Sequence, residues 1–306
     1  MATPACGFIV VDKPAGVTSF SIVSLVRRLT GVRRVGHAGT LDPLASGVLP
    51  VAVGPATRFI EYLDDAAKIY SATVRFGVTT DTYDSEGTVT GSAEVPNLDR
   101  ANLEGALAAF VGEITQVPPA YSALKVAGKP LYRYAREGTL IAVAARRVRI
   151  DRIDLRSLNP PEATLEVTCG KGTYIRSLAH DLGKRLGCGA HLAGLRRLAS
   201  GGFTLDDAHA TESLAALTAA GRLGAAMLAP DRALERRPAA ILGDAYVSGL
   251  RAGRDVRFAG DAAALCRVYS LSGDFVGVLA QSGEDAWHPA KLLPPPLIGA
   301  EEVVFS

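Results

Sequence analysis

The chain has 306 residues, 48% hydrophobic and 21% charged, which excludes a disordered polypeptide and is long enough for one large core plus a smaller second domain. Its four cysteines (Cys6, Cys169, Cys188, Cys266) lie far apart without a C-x-x-C pair, so neither a metal site nor a disulfide framework is indicated. There is no signal-peptide pattern and no apolar run of roughly 18 residues, so no membrane span is expected and the protein reads as cytoplasmic.

A formal net charge of +2 gives by itself no case for a nucleic-acid partner, but the charge is unevenly spread. Residues 1–60 carry six basic and two acidic side chains, and 121–200 carry fifteen against six. Residues 61–120 carry three against ten, and 201–306 nine against thirteen. The two basic blocks can fold into one phosphate-facing surface, with the acidic 61–120 block turned away from it. Arginine also outnumbers lysine 26 to 7, and plain surface arginine accounts for the same counts.

In chain order, Gly7 to Val11 reads as a strand closed by Asp12-Lys13-Pro14-Ala15-Gly16. Thr18 or Ser19 can cap a helix that places Phe20, Ile22, Val23, Val26 and Leu29 on one side and stops near Gly31. Arg27 and Arg28 at its end suit the helix dipole, and Arg33 and Arg34 follow. Residues 36–47 form a glycine-rich loop, and Val48 to Val53 a buried strand. Further strands are predicted at 69–76, 147–155 and 163–169, and helices at 99–110, 174–187 and 211–227. Without a strict βα alternation, the fold class is α+β with a mixed, largely antiparallel sheet. The texture changes near 229–238, and short β segments at 255–258, 264–271 and 275–280 indicate a small β-rich C-terminal domain. The division is 1–232 and 237–296.

The stretch that carries chemistry is Gly36-His37-Ala38-Gly39-Thr40-Leu41-Asp42-Pro43-Leu44-Ala45-Ser46-Gly47. Its glycines allow a tight turn and close approach to a ligand, and Pro43 stiffens the chain after the single carboxylate. On local chemistry alone, an Asp before Pro is as well read as a turn or a cap.

The pattern Gly39-x-Leu41-Asp42-x-x-x-x-Gly47 resembles the catalytic motif of pseudouridine synthases, and the flanking residues resemble the TruB-type branch. Further stretches agree in order and spacing: Asp12–Ser19, Lys68-Ile69-Tyr70, Thr79–Thr82, Pro118–Lys125, Lys171–Leu178, Gly187–Leu192 and Leu195-Arg196-Arg197. The likeness spans about residues 7–230, and the tail resembles the family's PUA-type RNA-binding domain.

The resemblance implies isomerisation of uridine 55 in the T-loop of tRNA, with no cofactor, no metal, no obligate protein partner and a monomeric state. It implies that Asp42 is the catalytic carboxylate and that Arg176 pairs with it, keeping it ionised and aimed. It implies that Tyr70 stacks on the target uracil and takes part in proton transfer, and that Tyr174 and Leu195 complete the pocket. His37, in isolation a candidate general base, is implied to pack against the RNA instead. Alone, Tyr70 reads as a strand aromatic, Tyr174 and Leu195 as core, and Arg176 as a surface helix residue. Arg33, Arg34, Lys125, Lys129, Arg196 and Arg197 are candidates for phosphate contact, and Lys13 for support of the loop. Other readings are a guide-RNA-dependent synthase, a synthase of large ribosomal RNA, an RNA-folding protein without catalysis, and a glycoside hydrolase. The last would want a second carboxylate across the bond, which the matched motifs lack.

Overall fold

The computed structural model describes residues 5–295 apart from 64–65, 123, 127, 140, 142 and 260–263. The expected domain end at residue 296 and the side chain of Lys125 lie outside what is described.

A ten-stranded mixed sheet organises the larger part of the described chain. Its main path runs Met227–Leu228, Gly7–Lys13, Ser46–Val53, Ala190–Ser200, Lys68–Phe76, Glu162–Cys169, Arg146–Asn159, Gly112–Gln116. Every neighbouring pair along this path is antiparallel except Ser46–Val53 with Ala190–Ser200, which run parallel through Arg196↔Ser46 and Arg197↔Gly47. This is the mixed, largely antiparallel α+β sheet expected from the sequence.

The central strands are buried on both faces, and the two-residue period of a strand divides their side chains between two cores. Ile9 and Val11 enter one core together with Leu49, Val51 and Val53. Phe8 and Val10 enter the other with Val48, Ala52, Phe59 and Phe203. On the first face lies the helix Ser19–Thr30, which buries Ile22, Val23 and Val26. Thr18 caps it by accepting from the Ser21 amide, and Gly31 ends it in the left-handed conformation at φ 67°. The helix Ile175–Arg185 buries Ile175, Leu178 and Leu182 in the same core.

One predicted element is corrected. The helix expected over 211–227 holds only for Thr211–Ala219, because Gly221 takes a left-handed φ of 66°. After it come a 3₁₀ turn at Leu223–Ala226 and the short strand Met227–Leu228, which pairs with Phe8 and Ile9. A run of alanine and leucine reads as helix, and Gly221 is the local stop signal, of the same kind as Gly31, that ends it.

The C-terminal segment forms a five-stranded sheet in the order Ala239–Leu242, Leu265–Ser270, Phe275–Gly283, Ala286–Leu292, Val256–Arg257. It carries the helix Asp244–Arg251 and a core around Leu250, Val268 and Trp287. The predicted β segments at 255–258, 264–271 and 275–280 are present; the first and last strands of 239–292 and the helix were not predicted. Phe275, Leu265 and Leu293 also pack on the core that contains Phe8 and Phe59, so this sheet leans on the larger one.

Candidate active site

The parallel strand pair is where the glycine-rich loop crosses the sheet. Val35–His37 pairs antiparallel with Ser46–Val53, through His37↔Val51, and the chain between them leaves the sheet to carry Asp42. Six hydrogen bonds hold that excursion. The Arg197 guanidinium donates from Nη2 to the Gly39 carbonyl at 2.9 Å and from Nε to the Val48 carbonyl at 2.7 Å. Ser19 Oγ accepts from the Leu41 amide at 2.9 Å and donates to the Leu41 carbonyl at 3.0 Å. The Gly16 amide donates to the Pro43 carbonyl at 2.8 Å, and the Ala45 amide to the Asp42 carbonyl at 3.1 Å. Leu41 and Ala45 are buried on either side, so the loop is pinned by its flanks while the Asp42 side chain stays 40% exposed.

Lys13 fills the support role foreseen for it. It is fully buried, and its Nζ donates to the Val17 carbonyl at 2.7 Å and the Pro14 carbonyl at 2.9 Å, with Pro43 at 3.4 Å. Burial pulls its pKa down to about 8, against the upward pull of the Asp42 charge.

Asp42 meets Arg176 at 2.9 Å. Arg176 is a buried residue in the first turn of Ile175–Arg185, not the surface residue that its sequence allowed. It donates to the carbonyls of Thr82 (3.1 Å) and Tyr121 (2.9 Å), and its other face lies 3.3 Å from Asp84. Asp84 is itself buried and accepts from Thr82 Oγ1 at 2.6 Å and from the Glu86 amide at 3.1 Å. The guanidinium is therefore aimed by four oxygen partners at once, and Asp42 is the one that opens to solvent.

Burial raises the Asp42 carboxyl above its ordinary 3.8, the Asp84 charge adds to the rise, and Arg176 and Lys13 oppose it. The Arg176 charge therefore opposes the rise without cancelling it.

Two cavities meet at Asp42 and Arg176. The smaller, of about 490 Å³, is lined by Tyr70, Tyr174, Leu195, Lys68 and Arg197 among others. Tyr70 and Arg197 face each other across the strands Lys68–Phe76 and Ala190–Ser200. Tyr70 is buried, which raises its phenol pKa, while the Arg197 charge acts the other way. Tyr174 is fixed through its backbone by Gln116, whose side chain accepts from the Tyr174 amide at 3.0 Å and donates to its carbonyl at 3.2 Å. Above its ring sits the Arg146 guanidinium, 4.5 Å from the centroid. The larger cavity, of about 700 Å³, is lined by His37, Phe20, Tyr121, Ser122, Asp84 and Glu86 among others. Burial and the Arg197 charge lower the His37 pKa, favouring the neutral ring.

The structure therefore brings Asp42, Arg176, Tyr70, Tyr174 and Leu195 around one cavity and places His37 across Asp42 from them. Asp84 was not singled out from the sequence. It sits two residues past the quoted Thr79–Thr82 stretch, and a second acid after Asp81 was the only signal. Asp84 and Glu86, both from the acidic 61–120 block, line the larger cavity.

Arg197 is corrected too: it is fully buried and bonded to backbone, so it is a loop clamp and not a phosphate contact. Arg33 and Arg34 are exposed, Arg196 pairs with Asp12 at 2.8 Å, and Lys129 pairs with Glu137. Among the described residues, no group of His, Cys, Asp or Glu is placed to hold a metal ion, and no helix is long and apolar enough to cross a membrane.

Known proteins share this arrangement of sequence and fold. Residues 27–175 match the N-terminal domain of the TruB family pseudouridylate synthases, and residues 176–235 match the tRNA pseudouridylate synthase B C-terminal domain. The tRNA pseudouridine synthase B of Thiobacillus denitrificans is 47% identical over 287 residues, covering 94% of this chain and 95% of that protein. That of Chromohalobacter salexigens is 52% identical over 220 residues, 72% of each chain. Among solved structures, a Cbf5-Nop10-Gar1 complex superposes with a TM-score of 0.70 at 26% identity, covering 98% of this chain and 85% of that one. With a family match on both sides of Asp42–Arg176 and relatives similar along nearly its whole length, the chain belongs to the TruB family of pseudouridylate synthases.

Proposed function

We propose that the protein isomerises uridine to pseudouridine at position 55 in the T-loop of tRNA, with Asp42 as nucleophile and without a cofactor. The observation that carries this reading is the 2.9 Å contact of Asp42 with a buried, four-fold-anchored Arg176, at the mouth of a cavity walled by Tyr70, Tyr174 and Leu195. The reaction breaks the N1–C1′ bond, turns the uracil and joins C5 to C1′; C5 gives up a proton and N1 gains one. Nothing is oxidised or transferred out, so one activated carboxylate, a base-holding pocket and a proton path suffice. Asp42 supplies the carboxylate, and Arg176 orients it. Tyr70 and Leu195 hold the detached ring while it turns, and the Tyr70 hydroxyl serves the proton exchange.

The target uridine leaves its loop at a cost of a few kcal/mol, offset by contacts to phosphate from the exposed Arg33 and Arg34 and by His37 packing against the RNA. The C-terminal part, 237–296, serves as a PUA-like RNA-binding domain beside a catalytic domain of 1–232; the family match ending at residue 235 supports a boundary there. Identity of 47% to a tRNA pseudouridine synthase B, against 26% to Cbf5, favours tRNA as substrate over a guide-directed target. The enzyme acts in the cytoplasm as a monomer with no obligate protein partner.

The test uses unmodified tRNA tritiated at uracil C5, incubated with the protein and with Asp42→Asn, with the modified position mapped chemically. Release from one T-loop uridine, lost in the variant, is expected. Binding without release would replace catalysis by RNA folding, and release from ribosomal RNA alone would reassign the substrate.

A further inference from the structure

The segment Thr80–Gly87 delivers Asp84 to Arg176 and places Tyr83 beside the same helix. Tyr83 sits in the left-handed region at φ 64°, a conformation that costs a side-chain-bearing residue energy unless the surroundings impose it. Its ring lies flat on the ring of His180, with centroids 3.9 Å apart and planes 15° from parallel. His180 is four residues beyond Arg176 on the helix Ile175–Arg185, so both project from one face of it.

The loop grips that face at two points one turn apart. At the first, Arg176 donates to the Thr82 carbonyl and meets Asp84. At the second, the Tyr83 ring covers the His180 ring. Between them the backbone is stitched to the central sheet, with Leu192 donating to the Tyr83 carbonyl and the Ser85 amide donating to the Leu192 carbonyl, each at 3.0 Å. The buried Ile175, Leu178 and Leu182 and the bond from Ser177 Oγ to the Val117 carbonyl at 2.8 Å seat the helix in the core; the second grip ties the loop that carries Asp84 to that helix one turn beyond Arg176. His180 Nδ1 is buried with no hydrogen-bond partner among the described residues, so the ring is held by its face rather than by its edge.

We propose that the Tyr83–His180 stack is a positioning device that holds the Asp84-bearing loop in register with the Arg176 helix, and through the Thr82 and Asp84 contacts the aim of Arg176 at Asp42. Neither ring lines the cavities that hold Asp42, and neither touches the reacting atoms. The idea rests on the isomerase reading above.

The test is the single-turnover rate at saturating unmodified tRNA, with binding measured separately. Tyr83→Asn removes the ring with a residue that accepts left-handed backbone readily, so the loop path is retained; His180→Ala removes the other half. Both are expected to slow turnover roughly tenfold to a hundredfold, the scale of a small misplacement of a catalytic group, with the tRNA Kd within about twofold. Tyr83→Phe and His180→Phe, which keep a flat ring, are expected to restore most of the rate. The double variant should be no slower than the slower single, as the two act as one unit. Wild-type rates in Tyr83→Asn would overturn the proposal, as would Phe variants as slow as the ring-less ones, or a loss confined to Kd. If His180→Ala fails to fold, Tyr83→Asn decides alone. A wild-type protein that releases no tritium would instead overturn the isomerase reading, so the two failures are distinct.

Discussion

Arg197 closes the reactive loop on Gly39: its Nη2 reaches the Gly39 carbonyl at 2.9 Å while its Nε holds Val48, so one guanidinium ties together the two ends of the segment that carries Asp42. The side chain is fully buried, and its backbone runs parallel to Gly47 in the sheet. A planar fork can serve two carbonyls from a fixed position; a lysine ammonium serves as a point charge and must choose. Arg197→Lys is therefore expected to leave one carbonyl without its donor, at a cost of about 1–3 kcal/mol, and to slow turnover by freeing the loop. Urea unfolding together with the tritium-release rate checks both. A variant of unchanged stability would mean the clamp contributes nothing.

Gly47 is where the loop re-enters the sheet against that same residue. Its φ is 101°, and a Cβ placed on it would lie 2.2 Å from the Arg197 carbonyl oxygen. Both the conformation and the space exclude a side chain. Gly47→Ala is expected to destabilise by about 2–4 kcal/mol and to abolish turnover by displacing Asp42. Thermal unfolding followed by circular dichroism measures the first effect. A melting temperature like that of the wild type would show that the crossing relaxes easily.

The Asp42 charge is held against the preference of its surroundings. Burial raises its pKa above 3.8, so the native state binds this proton more readily than the unfolded chain does. The contribution of this group to stability is then fully present below the unfolded value and is lost as pH rises through the raised native one. Asp42→Asn, which resembles the protonated side chain, is expected to melt higher than the wild type at pH 7 while releasing no tritium. The difference should shrink as pH approaches the unfolded value of about 3.9. Melting temperatures of both proteins across that range provide the check. A variant less stable at pH 7 would mean that the attraction of Arg176 outweighs desolvation.

Legibility in the sequence followed the locality of each signal. The helix after Thr18 was readable because its cap, apolar spacing and terminal glycine all lie within fourteen residues. Asp42, Tyr70, Arg176, Tyr174 and Leu195 could be singled out because each sits in a matched motif, and the fold brings all five to one cavity. What was missed at the site is non-local. Asp84 acquires meaning only when Arg176, 92 positions on, is laid against it, and Arg197 reads as surface charge until the parallel pairing with Ser46–Val53 buries it. The overrun of the predicted helix past Gly221 was a local miss, since a left-handed glycine ends Thr211–Ala219 as Gly31 ends Ser19–Thr30.

That reassignment of Arg197 divides the basic residues into two classes that salt can separate. Arg33 and Arg34 are exposed just before the strand that leads into the loop, whereas Arg197 is buried and bonded to backbone carbonyls. Each phosphate contact releases condensed counterions, so each contributes close to one unit to the slope of log K against log salt. Replacing Arg33 and Arg34 together by Gln is expected to lower the magnitude of that slope by about 1.5–2 and to weaken tRNA binding at low salt. Arg197→Lys is expected to leave the slope unchanged even as it slows turnover, since its bonds are to backbone carbonyls. Titrations of labelled tRNA at several salt concentrations distinguish the two. An unaltered slope in the Arg33/Arg34 double variant would move the phosphate-facing surface elsewhere on the molecule.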